Sequence, residues 1–293
     1  MTKSILVAGA LTVSALAAPA FAQGKSKGNG NGHGAPPSRN VLAAPPEVIA
    51  PTTGAAPFAW VDDATVLDPG AGSVGFAILH FSGAGVGETD FPVVDAALGL
   101  APRVQLAVAV PHVVAGADET SAAGGIGTTS VAAKVAILND PKKSFKLAVS
   151  PTLMILGSAV AASLNEGEGR TQFGLPVSAE LDRGMLRLYG AGGFFTSGVT
   201  FAGAGASVQT SPRTAVSLGF SRSWRREDVA DVDGTLLATA ANRTEISGGV
   251  GYVVTPRVVV WGSIGRTIAT LDEAGAGTTI SGGVSFSFTA PTK

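Results

Sequence analysis

The sequence predicts an all-β fold, an antiparallel transmembrane up-and-down β-barrel of about 12 strands. In segment after segment, apolar and polar residues alternate with a period of two, the pattern of a strand with one apolar and one polar face. These segments are mostly ten to twelve residues long, against about 5–6 for a strand in a soluble globular protein. The connections between them alternate between short turns and long polar loops, as in transmembrane barrels.

The composition limits the classes of protein to which the chain can belong. The 293 residues are 45% hydrophobic and 14% charged, with 40 Gly and no Cys, and the mean hydropathy is +0.35. Beyond the first 22 residues, no run of 18 apolar residues could form a transmembrane helix. The net charge of -1 gives no electrostatic reason to expect a nucleic-acid partner. Without Cys there is no disulfide scaffold and no Cys-based metal site, and we predict no cofactor.

The first 22 residues are typical of a secretory signal peptide. Lys3 precedes an apolar stretch, and Ala20-Phe21-Ala22 supplies a small-x-small cleavage site. The alternative is an N-terminal membrane anchor. We predict that the mature chain is exported to the outer membrane of a Gram-negative cell.

Residues 23–60 differ in composition from the rest of the chain. They are rich in Gly, Asn and Lys and then in Pro and Ala, so we predict a disordered leader, with His33 solvated rather than a metal ligand. Whether the leader enters the barrel, reaches periplasmic partners or does neither stays open. The barrel is predicted to span residues 61–293.

The alternation defines about 12 strand candidates. In SFKLAVSPTLMI, for example, Phe145, Leu147 and Val149 share one face while Lys146 and Ser150 lie on the other. The candidates lie near 73–82, 91–100, 104–111, 128–138, 144–155, 170–181, 185–196, 199–210, 214–224, 243–254, 258–267 and 278–288.

Three short turns repeat a Pro-Arg pair: APR at 101–103, SPR at 211–213 and TPR at 255–257. Proline presets the backbone for a tight turn. Hairpins centred on these prolines bring apolar residues together, as pairs Leu98–Leu106, Val94–Val110, Leu100–Val104, Val208–Val216, Ala206–Leu218, Val250–Gly262, Tyr252–Val260 and Val254–Val258. Three-residue hairpins usually place Gly at the third, left-handed position, where this chain has Arg.

The soluble alternative is a β-sandwich, whose strands would also alternate. Aromatic residues make up only 6% of the chain, which is few for the interfacial girdles of a barrel. The candidates for a thin girdle near strand ends are Phe91, Phe145, Phe173, Phe195, Trp224 and Tyr252.

Three stretches carry a resemblance to a known family: TDFPVVDAALGLAPRVQLAVAVPHV, GIGTTSVAAKVAILNDPKKSFKLAVSPTLMI and LRLYGAGGFF. With about residues 72–288 the chain resembles the outer-membrane proteins assigned to transport in the phenol meta-cleavage degradation pathway. The resemblance implies a narrow barrel that passes small, often hydrophobic compounds. The expected partners are outer-membrane lipid, a small-molecule solute and the barrel-assembly machinery. The assembly signal of such barrels usually ends on an aromatic residue, whereas Phe288 is followed here by five further residues.

Strand parity assigns charged residues to the lumen. The lumen-facing candidates are Asp95, Lys134, Lys146, Glu180, Arg187, Glu245 and, opposite Gly251, the space-filling Trp261. We predict that Glu180 and Arg187 lie directly opposite each other, pair, and brace the periplasmic end. The alternative is that they are solvated rim charges, for which such a pair contributes about 0–1 kcal/mol.

Two arginines fall on the lipid-facing parity. Arg222 and Arg266, with Trp224 near the first, are predicted to lie at the outer lipid interface and reach lipid phosphates. The alternative places them in loops.

No pattern favours an enzyme. His80 and Ser82 share one face of the first strand, but no orienting carboxylate or amide accompanies them. The loop acids Asp118, Glu119, Asp228, Asp231 and Asp233 are expected to be solvated rather than to bind metal. The leading hypothesis is a passive channel or transporter for small molecules. The alternatives are a sealed structural or surface-interaction barrel acting through its loops, an enzyme, or a soluble β-protein.

Overall fold

The structure is a computed structural model. It describes residues 61–83, 86–115, 124–140, 144–161, 170–196, 198–225, 243–270 and 277–289. The predicted signal peptide (1–22), the predicted leader (23–60) and the five loop acids therefore lie outside the described residues.

The described residues form fifteen strand segments and one short helix. These are β1 (Ala71–Gly83), β2 (Val86–Ala101), β3 (Val104–Val114), β4 (Gly125–Ile126), β5 (Thr129–Asp140), β6 (Phe145–Val149), β7 (Thr152–Ile155), α1 (Ser158–Ala161), β8 (Thr171–Gly174), β9 (Val177–Arg183), β10 (Leu186–Phe194), β11 (Val199–Ser211), β12 (Thr214–Arg225), β13 (Arg243–Thr255), β14 (Val258–Thr270) and β15 (Thr278–Thr289). Within the described residues, no helix is long and apolar enough to cross a membrane.

The strands form one closed antiparallel sheet. β1 pairs with β15 from Ala71 to Ser82, and β3 pairs with β5, so the sheet closes into a ring. β6 and β7 are two parts of one barrel strand, as are β8 and β9, and β4 is a short addition to β3. The barrel thus has twelve strands, each overlapping one of the predicted segments. The β-sandwich alternative is wrong, because a single sheet closes on itself.

Prolines cause both strand interruptions. Pro151 and Pro176 have no N–H group to donate to a ladder, so β6 stops before one and β8 before the other. The neighbouring backbone bridges the gaps, since Ser150 N donates to Pro176 O (2.9 Å) and Ala133 N donates to Pro151 O (3.0 Å).

The three Pro-Arg turns share one geometry. The predicted pairs Leu98–Leu106, Val94–Val110, Val208–Val216, Ala206–Leu218, Val250–Gly262 and Tyr252–Val260 are confirmed. The pairs Leu100–Val104 and Val254–Val258 are wrong, because Val104 faces Ala101 and Val258 faces Thr255. In each hairpin the register shifts two residues before proline, leaving an extra residue there as a β-bulge. A two-residue turn then suffices, and none of the three arginines has a positive φ.

The two faces of the barrel differ in chemistry. The outer face exposes large apolar side chains on almost every strand, such as Phe76, Ile78, Leu218 and Ile264. A belt of this extent is foreign to a water-soluble surface and typical of a lipid-facing one. On β11–β15 the inner face carries small residues instead, among them Ser217, Ser221, Ser247, Ser281 and several glycines.

Large inward side chains lie across glycines of neighbouring strands. A Cβ atom added to Gly205 would lie 2.5 Å from Cε2 of Tyr189, and one added to Gly283 would lie 2.9 Å from Cζ2 of Trp261. Trp261 faces Gly251 as predicted, but it extends over Gly283 on the other side and packs against Ala77 and Val93.

Candidate functional site in the barrel lumen

The ten residues before β1 enter the barrel. This stretch, Val61–Gly70, is called here the luminal segment. It turns into β1 where Gly70 adopts a positive φ of 77° and Gly70 N donates to Gly99 O (2.8 Å). Asp63, Ala64 and Leu67 are only 1–3% exposed. They are buried against the inward-facing side chains of the barrel wall.

Asp63 is held by three strands. Lys134 Nζ of β5 donates to Asp63 O (3.1 Å) and Oδ1 (3.3 Å), and Ser178 Oγ of β9 donates to the same carbonyl oxygen (2.8 Å). Arg187 Nη2 of β10 donates to Asp63 Oδ2. Lys134 Nζ also lies 2.8 Å from Asp62 Oδ2. Two successive acidic residues of the luminal segment thus compensate two buried cations of the wall.

Glu180 is the second centre of this network. Its Oε1 accepts from Lys146 Nζ and from Arg187 Nε, both at 2.8 Å. Its Oε2 accepts from Thr65 Oγ1 (2.7 Å) and from Ala64 N (3.2 Å). Lys146 Nζ also lies 3.0 Å from Asp182 Oδ2. The luminal segment and the wall therefore share one continuous set of charged hydrogen bonds, which are stronger than neutral ones.

The geometry of the Glu180–Arg187 pair differs from the expectation. The two side chains are hydrogen-bonded, but Glu180 faces Tyr189 and Arg187 faces Asp182. They are diagonal neighbours because the turn contains only Gly184 and Met185. The proposed bracing of the periplasmic end stays a prediction.

Three residues of this network, Asp62, Asp63 and Thr65, were not among the predicted site residues. These residues precede the first alternating segment, so strand parity could not place them. The available signal was WVDDATVLD, with two adjacent acidic residues just before a barrel whose predicted interior contained three cations.

A different wall holds carboxylates without partners. Asp95 and Asp90 of β2 and Glu245 of β13 are 4%, 0% and 2% exposed, respectively. One oxygen of Asp95 and both oxygens of the other two have no hydrogen-bond partner among the described residues. Asp90 was not among the predicted lumen residues, because the predicted second strand began at residue 91 whereas β2 begins at Val86.

The residues assigned to the lipid interface lie on the outer face. Arg222, Trp224 and Arg266 are exposed within β12 and β14, so the alternative that they are loop residues is wrong. Arg266 Nη1 donates to Thr278 Oγ1 (2.8 Å). Their contact with lipid phosphates stays a prediction.

The aromatic girdle needs one correction. Phe91, Phe173, Trp224 and Tyr252 are exposed on the outer face, and Phe145 is half-buried. Phe195 is not part of a girdle, because it points inward, is 3% exposed and packs with Met154, Ala191 and Phe201.

The weak catalytic candidates lie outside the lumen. His80 and Ser82 are exposed on the outer face, and His80 Nδ1 lies 2.9 Å from Thr89 Oγ1. Within the described ranges, no group of three or more His, Asp or Glu residues is placed to hold a metal ion.

An apolar exterior, a polar interior and twelve closed antiparallel strands define a transmembrane β-barrel of the outer-membrane type. Among solved structures, the chain is similar to the NanC porin at a TM-score of 0.53, with 12% identity over 73% of this chain and 98% of that one. The KdgM porin in complex with disordered oligogalacturonate gives 0.51, with 9% identity over 74% and 99%.

An outer membrane channel from Pseudomonas putida F1 gives a TM-score of 0.54, with 17% identity over 77% of this chain and 98% of that one. At these identities the similarity is one of fold. No protein-family model matches the chain, and no curated protein matches it.

Proposed function

We propose that the protein is a passive outer-membrane channel for small molecules. The observation that carries this proposal is the inner wall of β11–β15, where serines, threonines and glycines outnumber the bulky apolar residues Phe201, Val259 and Trp261 that also point inward. A purely structural core would be filled by bulky apolar side chains. The three solved structures similar in fold are named porins or a channel, which supports the same function.

The charges of the lumen favour a solute other than a polyanion. The KdgM porin was crystallised with oligogalacturonate, a ligand that requires accessible cations. In this chain Lys134, Lys146 and Arg187 are each bound to carboxylates of the luminal segment or of the wall. We therefore propose small solutes, in line with the resemblance to the phenol meta-cleavage transporters, whose compounds are small and often hydrophobic.

The first experiment compares gel mobility of the membrane-extracted protein with and without boiling, followed by conductance in planar bilayers. A closed barrel shifts on heating, and a channel then shows discrete current steps. A barrel that shifts on heating but conducts nothing would contradict the channel and leave the fold intact.

A sealed structural barrel is the second candidate, and the luminal segment favours it. Asp63 is 2% exposed and is bound from three strands, so the segment obstructs part of the lumen. If this segment seals the barrel, the wild-type protein conducts nothing and a current starts only when a substitution loosens the segment. In a channel the wild-type protein already conducts, and the same substitution raises the current.

A further inference from the structure

The lumen divides into two electrostatically different parts. The clamp wall, defined as β5, β6, β9 and β10, carries Lys134, Lys146 and Arg187, and all three cations lie within 2.8 Å of at least one carboxylate oxygen. The acidic wall, defined as β13, β14, β15, β1 and β2, carries Asp90, Asp95 and Glu245. Both oxygens of Asp90 and Glu245 and one oxygen of Asp95 have no hydrogen-bond partner among the described residues.

These three carboxylates form a track along the barrel axis. Asp95 is seven residues and Asp90 twelve residues from Pro102, and Glu245 is eleven residues from Pro256. Because both prolines mark short turns at the same end of the barrel, Asp90 and Glu245 stand at similar heights and Asp95 stands nearer the turns. All three side chains point inward.

A buried, unpaired carboxylate is unfavourable unless a counter-charge or a hydrogen-bond donor joins it. The cation closest in sequence is Arg243, two residues from Glu245 on the same strand. Its Nη2 donates to Thr267 Oγ1 (2.6 Å), and its guanidinium lies 5.7 Å from the centre of the Phe81 ring. The oxygens of Glu245 accept no bond from it.

Glycines make room for the track. A Cβ atom added to Gly265 would lie 2.6 Å from Oε1 of Glu245, and one added to Gly75 would collide with the carboxylate of Asp95. Asp95 follows Val93 by two residues on the same face, and Val93 packs against the indole of Trp261. An aromatic side chain and a carboxylate oxygen without a partner thus both adjoin Val93, and an aromatic ring beside a carboxylate is the combination that holds an ammonium group.

We propose that the acidic wall is a binding site for a small protonated amine with a short apolar group, and that it makes the lumen favour cations over anions. The carboxylate of Asp95 receives the ammonium protons, and Trp261 packs against the apolar part. Asp90 and Glu245 stand farther along the barrel and add negative charge to the same wall. This binding site specifies the solute class of the proposed channel. Binding itself does not require the channel function, but transport of the bound amine does rest on the proposed function.

The first test is binding, which requires no transport. Isothermal titration of the detergent-solubilised full chain with propylammonium chloride should show saturable binding, whereas sodium propionate and propanol should give none. Asp95→Asn should weaken binding several-fold, and Trp261→Leu should weaken it too. Glu245→Gln removes a charge that the amine does not contact and should weaken binding less than Asp95→Asn. The matched control is Asp68→Asn, because Asp68 is an exposed carboxylate of the luminal segment.

The second test is ion selectivity in planar bilayers under a potassium chloride gradient. The wild-type reversal potential should show a several-fold preference for potassium over chloride, and Asp95→Asn should reduce it while Asp68→Asn leaves it unchanged. The heat-dependent gel shift identifies variants that fold. If Glu245→Gln does not fold, the result for Asp95→Asn alone tests the proposed site.

The outcomes separate the two proposals. Binding of propylammonium without any current retains the site and overturns the channel. Current without binding, or with a preference for chloride, retains the channel and overturns the site. Equal binding by wild type and both carboxylate variants overturns the assignment of the site to the acidic wall.

Discussion

Around the lumen, the clamp wall and the acidic wall differ in how their charges are compensated. In the clamp wall the chain supplies its own counter-ions, since Asp62 and Asp63 reach Lys134 and Arg187 across more than 70 residues of sequence. In the acidic wall the carboxylates of Asp95 and Glu245 lie against glycines, and both oxygens of Glu245 and one of Asp95 have no hydrogen-bond partner among the described residues.

The difference separates a structural role from a binding role. Fully paired buried charges hold a segment in one position, and removing one partner leaves the other unpaired. Buried acceptor oxygens without a hydrogen bond do not stabilise the barrel, because no hydrogen bond offsets the cost of their desolvation. We infer that substitutions in the clamp wall change stability and opening, whereas substitutions in the acidic wall change what enters.

The largest effect is expected for Arg187→Gln in the clamp wall. The substitution leaves Asp63 and Glu180 buried with one fewer cation, and removal of one partner from such a network costs about 3–5 kcal/mol. Guanidinium unfolding followed by the heat-dependent gel shift measures it. Arg183→Gln is the control, because Arg183 is exposed beside the same turn. Equal stability of the two variants would contradict the structural role of the network.

A smaller loss of stability with a gain of current is expected for Asp63→Asn. The amide retains an oxygen acceptor but no longer compensates Lys134 and Arg187, and a weakened charged hydrogen bond of this kind costs about 1–3 kcal/mol. The luminal segment should then leave the wall more often, so single-channel conductance should rise several-fold. Asp68→Asn, five residues closer to β1 and exposed, should leave the current unchanged. A silent bilayer for the wild-type protein, with current only for Asp63→Asn, would favour the sealed barrel.

Packing across glycines gives a test in the region between the two walls. Gly205→Ala places a Cβ atom 2.5 Å from Cε2 of Tyr189, and forced overpacking costs about 1–3 kcal/mol. Gly248→Ala is the matched control on β13, since its nearest described atom, Leu218 Cδ2, is 3.4 Å away. Comparing the free energies of unfolding of the two variants tests this prediction. A Gly205→Ala barrel as stable as the control would show that Tyr189 moves aside without cost.

The strands were predictable because their signal is local. Period-two alternation and Pro-Arg turns specify face and register within some twenty residues of sequence, so the pairing of Leu98 with Leu106 and of Tyr252 with Val260 follows from the sequence alone. The bulge at Leu100 was not predictable, because alternation continues through it and only the pairing of Ala101 with Val104 reveals the shift.

Period-two alternation could not predict the position of the luminal segment. It is neither a strand nor a helix, and its contacts join residues such as Thr65 and Glu180 that are 115 positions apart. Parity placed Glu180, Arg187 and Lys134 on the inner face, but a list of inward charges does not say which of them are paired. The division into a clamp wall and an acidic wall therefore requires the tertiary structure.

The smallest effect concerns the outer surface, where charges are neither clamped nor buried. Arg222 and Arg266 are exposed on lipid-facing positions three and four residues from the ends of β12 and β14. A cation near the interface costs about 0–1 kcal/mol, so replacing both with Gln should scarcely change the free energy of unfolding in detergent. If the guanidinium groups contact lipid phosphates, the double variant should instead lose affinity for vesicles that contain anionic lipid, measured by flotation at low and high salt. Unchanged flotation at low salt would show that these arginines contribute nothing to lipid association.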